Sequence, residues 1–404
     1  MTVETSSAAF PRNETMKSVR TKRDLAINGA LPAFDQPLHV GRPNIGDRDK
    51  FLQLAAEMFD RRWLSNNGPI LQEFERRIAA YLGVRHCIAM CNGTVALEIA
   101  IRALGMTGEV IVPSYTFIAT AQALDWQGVK PVFADIDPDT HNLDPAAVRR
   151  MITPRTSGII GVHLWGRAAP VEELQQIASE HNLELMFDAA HAFGCTHNGK
   201  MIGGFGRAEV LSFHATKFFN TFEGGAVVTN EDELAEKMRL MRNFGFAGLD
   251  NVVHPGTNGK MVEVCAAMGL ANLDYIETVI AANRRNYMHY SQEIKGIKGL
   301  SLLDFDPHEA SNFQYVIMEV GAQCPVTRDQ IVEALHAENV LARKYFWPGC
   351  HRMKPFLESD PLAHLVLPVT EAVSDRVIVL PTGTAVGRMH VDVIGEVLRA
   401  LVGQ

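Results

Sequence analysis

Between His86 and Phe187 short apolar runs alternate with stretches of helical periodicity, and that rhythm leaves few folds open. Residues 88–90, 110–112, 131–133, 158–162 and 183–187 form apolar runs, as strands covered on both sides do. Between them, residues 94–104, 117–126, 145–152 and 171–181 have the length and spacing of helices. Such alternation builds a largely parallel sheet covered by helices on both faces. Right-handed crossovers then collect the strand ends, with their loops, at one edge, where α/β sheets place their ligand crevice.

Two chemically active residues follow apolar runs in the next stretch. Leu185-Met186-Phe187 ends on a carboxylate, Asp188, and Val210-Leu211-Ser212-Phe213 is followed by His214-Ala215-Thr216-Lys217. Glu223-Gly224-Gly225 then leads into a third strand, residues 226–229. A lysine held among apolar neighbours loses water, which lowers its pKa and makes its amine nucleophilic. Such an amine can form a Schiff base with an aldehyde. A fixed carboxylate nearby would keep a pyridine nitrogen protonated, so Lys217 and Asp188 are the pair of groups that pyridoxal 5′-phosphate asks for. Taken alone, Lys217 reads as a solvated surface lysine and Asp188 as a helix cap.

The rest of the chain frames this centre. Asp47 is placed to cap a helix in which Phe51, Leu54, Ala55, Met58 and Phe59 share a face. Ser65-Asn66-Asn67-Gly68-Pro69 breaks it, and residues 71–82 read as a second helix. Residues 231–243 form an amphipathic helix, and 261–290 a long helix expected to be bent or broken. Strands at 315–318 and 377–380 with helices at 327–338 and 391–401 then suggest a smaller α/β unit. The division expected is a flexible tail over 1–30, mobile or lying on a partner subunit, a large domain over 31–285 and a small one over 286–404.

The 404 residues suffice for two domains with cores of their own. A net charge of −8 argues against general binding to nucleic acid or anionic membranes, so an anionic substrate needs a local cluster of cations. No stretch approaches the roughly 20 apolar residues of a membrane span, and a cytoplasmic location is expected. The six cysteines are scattered without a C-x-x-C pair, which suits reduced core thiols rather than a metal site.

Asp188-Ala189-Ala190-His191, Ser212-Phe213-His214-Ala215-Thr216-Lys217 and Glu223-Gly224-Gly225 together resemble the DegT/StrS-type family of nucleotide-sugar aminotransferases. The resemblance runs from about Leu38 to the C-terminus. It implies the type I fold of pyridoxal phosphate enzymes, a large domain with a mostly parallel sheet and a small C-terminal α/β domain. By the same resemblance Gly93, Thr94 and Ser212 would hold the cofactor's phosphate, and a helix N-terminus suits an anion. Phe117 would stack on the pyridine ring, and His191 would touch the ring's other face or its hydroxyl. Asn258 would reach the phosphate of a neighbouring subunit, which makes the homodimer obligate. Asn67 falls in a loop that lies beside the sugar in this family. Residues 342–356 concentrate cations and aromatics, with Lys344 and Tyr345 as candidates for nucleotide and diphosphate.

That last segment is most similar to enzymes aminating C4 of TDP-4-keto-6-deoxyglucose, in deoxyaminosugar biosynthesis for natural products or surface glycans. L-Glutamate is the implied donor. Amination at C3 of a TDP-3-keto sugar is the nearest alternative, and a non-catalytic pyridoxal phosphate-binding regulator the alternative of another class. A related dehydratase would carry His in place of Lys217, and a nicotinamide enzyme would show G-x-G-x-x-G after the first strand.

Overall fold

A computed structural model describes residues 16–359 and 365–404. Its centre is a seven-stranded sheet in the order His86–Met90, Gly225–Thr229, Ala208–Ser212, Glu184–Asp188, Thr156–Val162, Glu109–Pro113 and Lys130–Ala134. Only Gly225–Thr229 runs against its neighbours; the other pairings are parallel. Every strand expected from the alternation is present. The strands Glu109–Pro113 and Ala208–Ser212 are buried along most of their length, since helices cover both sheet faces.

Register brings the chemistry to one edge. Gly225 faces both Met90 and Ser212 across the ladder, and Asp188 faces Val210 two residues before Ser212. A Cβ on Gly225 would stand 2.6 Å from the Gly93 nitrogen. The absent side chain lets the helix Gly93–Ala103 begin directly against the strand.

Helix starts show how distant residues finish local elements. Asp47 caps Arg48–Arg61 by accepting from the Lys50 N–H, but Phe59 is exposed, so the expected apolar face is only partly buried. Pro69–Leu82 has Gly68 at its N-cap and no side chain there to cap it. Glu263 accepts from the N–H groups of Ile70 and Leu71 at 2.9 and 3.0 Å instead, 192 residues or more away in sequence. The long helix expected over 261–290 is Glu263–Leu273 followed by Ile276–Ile294, bent by 63° between them. No single helix among the described residues is long and apolar enough to cross a membrane.

Ile276–Ile294 joins two cores. Ile276 and Val279 pack with Phe74 and Phe213 beside the large sheet, whereas Tyr287, Tyr290 and Ile294 pack with Val316, Ile378 and Ile394. The proposed boundary at 285 thus falls inside a continuous helix rather than in a linker. The second core surrounds the antiparallel strands Leu300–Leu302, Val316–Val320 and Val377–Leu380. It also takes in Val19, Leu25, Phe34 and Leu38, which corrects two expectations. From residue 16 onwards the presumed tail is docked, with the Ser18 hydroxyl and Val19 N–H donating to Glu396, because its apolar side chains complete the C-terminal core. Residues 33–38 likewise pack with that core and not with the large sheet. Residues 1–15 lie outside the described residues.

Candidate active site

Asp188 ends its strand buried, 6% exposed. Its carboxylate accepts from the Ala190 N–H at 3.0 Å and from the Thr120 hydroxyl at 2.8 Å. Burial nevertheless pushes its pKa above the ordinary carboxylate value, with the nearby Lys217 charge pulling the other way. Across the site, Lys217 follows the strand Ala208–Ser212 in a tight turn in which its N–H donates to the His214 carbonyl. Its amine donates to the Tyr315 hydroxyl at 3.2 Å. Loss of water lowers its pKa to about 8, and Asp188 limits the fall. Lysine and acid are thus brought into electrostatic contact.

Aromatic side chains wall the space beside them. His191 is buried, stacked on Trp165 and Phe346 at 5.8 and 5.9 Å, and tilted against Tyr315 at 4.6 Å. Its Nδ1 accepts from the Trp165 N–H, and Nε2 has no partner among the described residues. Burial first, and then the lysine's charge, hold its pKa well below the usual value, so the imidazole is neutral. Phe117 is 55% exposed with its ring edge-on to Phe346. Tyr345 stacks on Phe346, and its carbonyl accepts from the Tyr115 hydroxyl at 2.6 Å.

A polar cradle closes one end. Asn92 caps the helix at Gly93 by accepting from the Val95 N–H at 2.8 Å. The N–H groups of Gly93 and Thr94 are left without a partner among the described residues. The Ser212 side chain adjoins them, since a Cβ on Gly93 would lie 3.4 Å from its Oγ. Free N–H groups, a hydroxyl and the positive end of a helix suit a phosphate. Cradle, buried acid and desolvated amine fit pyridoxal 5′-phosphate: Gly93, Thr94 and Ser212 would hold its phosphate, Asp188 its ring nitrogen and Lys217 its aldehyde carbon.

Three candidates stand apart from this group within one chain. Asn258 is exposed, bridging Asn243 near the edge strand His86–Met90, and its side chain has no partner among the described residues. Asn67 is exposed with φ 60°, and its Oδ1 accepts from the buried Arg242, which also donates to the Ala89 carbonyl and pairs with Glu75. Lys344 is engaged in an ion pair with Asp329 at 3.1 Å and lies over the Trp347 ring. Conversely, sequence reasoning missed Tyr315, Thr120, Trp165 and Phe346 as site residues. Tyr315 lies 98 positions from Lys217, and only its place at the start of a strand marked it.

Comparison with known proteins agrees with this geometry. The model of the DegT/DnrJ/EryC1/StrS aminotransferase family matches residues 46–399. A dTDP-4-amino-4,6-dideoxy-D-glucose transaminase from Shigella dysenteriae is 36% identical, over 91% of this chain and 98% of its own. A GDP-perosamine synthase from Caulobacter vibrioides is 37% identical, over 88% and 95%. The crystal structure of DesI in the presence of its TDP-sugar product superposes with a TM-score of 0.90 at 49% identity, covering 94% of this chain and 96% of that one. The chain therefore belongs to the DegT/DnrJ/EryC1/StrS aminotransferase family.

Proposed function

We propose that the protein transfers an amino group from L-glutamate to C4 of TDP-4-keto-6-deoxyglucose. The observation that carries the reading is the pairing of a desolvated Lys217 amine with a buried Asp188 carboxylate beside an unpartnered helix N-terminus. The 4-amino-4,6-dideoxyglucose named for the Shigella relative and the TDP-sugar named with DesI support the choice of sugar.

Pyridoxal 5′-phosphate is the cofactor; when bound, its protonated ring accepts the electron pair left as a proton departs from carbon. Asp188 holds the proton on that ring's nitrogen. Its burial keeps water from competing for the carboxylate, and Thr120 and Ala190 fix its direction. Lys217 would hold the cofactor covalently and, once freed, its amine would take a proton from the donor's α-carbon and deliver it across the bridging nitrogen to the carbon that was the cofactor's aldehyde. An amine with a pKa near 8 can both accept and release that proton close to neutrality. The same two moves in reverse order place the amine on the sugar. His191, neutral and wedged among rings, positions without adding charge. By the family resemblance Asn258 of a second copy would complete the phosphate site and make the working unit a homodimer, and Asn67, Lys344 and Tyr345 would contact the nucleotide sugar.

The test is a half-reaction. Protein converted to its amine-bearing cofactor form is offered 4-keto and 3-keto sugars linked to TDP, and 4-keto sugars linked to GDP as the perosamine relative suggests. Return of the lysine–cofactor absorbance fastest with the TDP-4-keto sugar supports the reading. Dominance by a 3-keto sugar moves the site of amination. No return with any sugar would revive the regulator reading.

A further inference from the structure

The backbone of Phe218, the residue that follows Lys217, is held by two side-chain amides that belong to other parts of the chain. The Phe218 N–H donates to Gln314 Oε1 at 3.1 Å, and the Phe218 carbonyl accepts from Asn44 Nδ2 at 3.1 Å. Gln314 precedes Tyr315 at the head of the strand Val316–Val320, so that grip comes from the C-terminal unit. Asn44 lies in the segment that leaves this unit at Leu38–His39, where it pairs in parallel with Val340–Leu341. The segment then crosses the lysine turn and reaches the helix Arg48–Arg61. At Gly41 it runs so close that a Cβ would stand 2.7 Å from Thr216 Cβ, the residue before Lys217.

Asn44 is 5% exposed, and its hydrogen-bonding groups are shared between the two units. Its Oδ1 accepts from the Thr384 N–H at 2.9 Å and from the Thr384 hydroxyl at 2.8 Å. Its backbone carbonyl accepts from Asn220 Nδ2 at 2.9 Å, on the large-unit side. The Thr384 loop is itself held, because Asn286 donates to the Gly383 carbonyl at 3.0 Å. One buried amide thus joins the lysine turn to the loop after Val377–Leu380. The bonds of Asn44 to Phe218 and Asn220 are buried, so losing the Asn44 side chain leaves the Phe218 carbonyl without its donor. Thr384, by contrast, is exposed, and Gln314 Nε2 is buried with no partner among the described residues.

We propose that Asn44 is a positioning residue: by tying the Phe218 carbonyl to Thr384 it registers the Lys217 amine against the C-terminal unit that presents Tyr315. The inference rests on Lys217 being the cofactor-bearing lysine. Its consequence is that the placement of the amine depends on a residue that touches neither cofactor nor substrate. A displacement of about 1 Å at a reacting group can cost as much as 100-fold in rate, so a lost tether is read in turnover before binding.

The experiment uses the full chain loaded with cofactor. Asn44→Asp keeps the acceptor for Thr384 but removes the N–H that reaches Phe218; Thr384→Val deletes the hydroxyl bond at the other end and leaves the backbone N–H bond; Asn44→Ala removes the side-chain link at both ends. For each, the pH midpoint of the lysine–cofactor absorbance, kcat, KM and the melting temperature are measured. Expected are a midpoint moved by about half a unit or more and a kcat lowered about tenfold or more for Asn44→Asp, with KM within about threefold. Thr384→Val should shift both quantities in the same direction by less. Melting temperatures that fall while midpoint and kcat stay at wild-type values would overturn the proposal and leave Asn44 a packing residue. Thr384→Val is the milder variant should Asn44→Ala not fold. A wild-type protein showing no lysine-linked absorbance would instead defeat the assignment of Lys217, a different failure.

Discussion

The Lys217 amine donates to the Tyr315 hydroxyl at 3.2 Å, across the join between the large sheet and the C-terminal unit, with the amine 5.7 Å from the centre of the tyrosine ring. In the proposed reaction the hydroxyl would give the freed amine a fixed partner between its two proton transfers. Tyr315→Phe keeps the ring packed against Trp165 and His191 and removes only that partner. The expected result is a kcat lower by about 10- to 100-fold with melting nearly unchanged, measured by steady-state kinetics and calorimetry.

The lysine's titration gives a second prediction. Its pKa, lowered from 10.5 to about 8, means that the amine of the cofactor-free protein should react with an acylating reagent with a midpoint near pH 8. Asp188 raises that pKa, so Asp188→Asn should move the midpoint lower still. The sign for stability follows. Between about pH 8 and 10.5 the folded chain binds fewer protons at this site than the unfolded one, so its contribution to stability rises with pH across that window. Below the window the folded state bears the full cost of holding a charged amine away from water.

Asp188→Asn should also remove most of the activity. An amide cannot hold a ring-nitrogen proton as a carboxylate does, so kcat should fall at least about 100-fold while substrate KM changes little. Cofactor retention on gel filtration should weaken in parallel.

The cradle makes a steric prediction. Gly225→Ala would place a methyl 2.6 Å from the Gly93 nitrogen, forcing the helix start away from the strand. The expected cost is about 1–3 kcal/mol in stability, together with weaker cofactor binding. Ser212→Ala, which only deletes a hydroxyl, should weaken binding about tenfold and leave melting unchanged, as titration of the cofactor-free protein would show.

Sharing of sites between subunits is tested by mixing. Lys217→Ala and Asn258→Ala proteins, each nearly inactive, should regain activity when co-refolded. One site of each mixed dimer then has both residues intact, and about a quarter of all sites are restored in a random mixture. No recovery would mean that Asn258 serves its own chain's site, and an active Asn258→Ala protein would place Asn258 outside the site.

The strands and helices of the large sheet were legible because periodicity and strand ends are local properties. Asp47 as a cap and Asp188 and Lys217 beyond their strands needed only neighbours in sequence. The docking of residues 16–38 on the C-terminal core was not legible: Val19, Leu25 and Phe34 sit too far apart, in too polar a context, to show a period. Nor could spacing show that Glu263 caps a helix starting at Pro69, or that Thr120 holds Asp188.

Amino-acid order by itself determined the alternating architecture, the chemical types at the strand ends and the family to which they belong. Tertiary structure alone decided which hydroxyl meets the Lys217 amine, which amides hold the Phe218 backbone and which rings enclose His191. The physical reason is range. Backbone periodicity is written over a few successive residues, whereas desolvation, hydrogen-bond direction and charge balance depend on groups brought together from positions scores of residues apart.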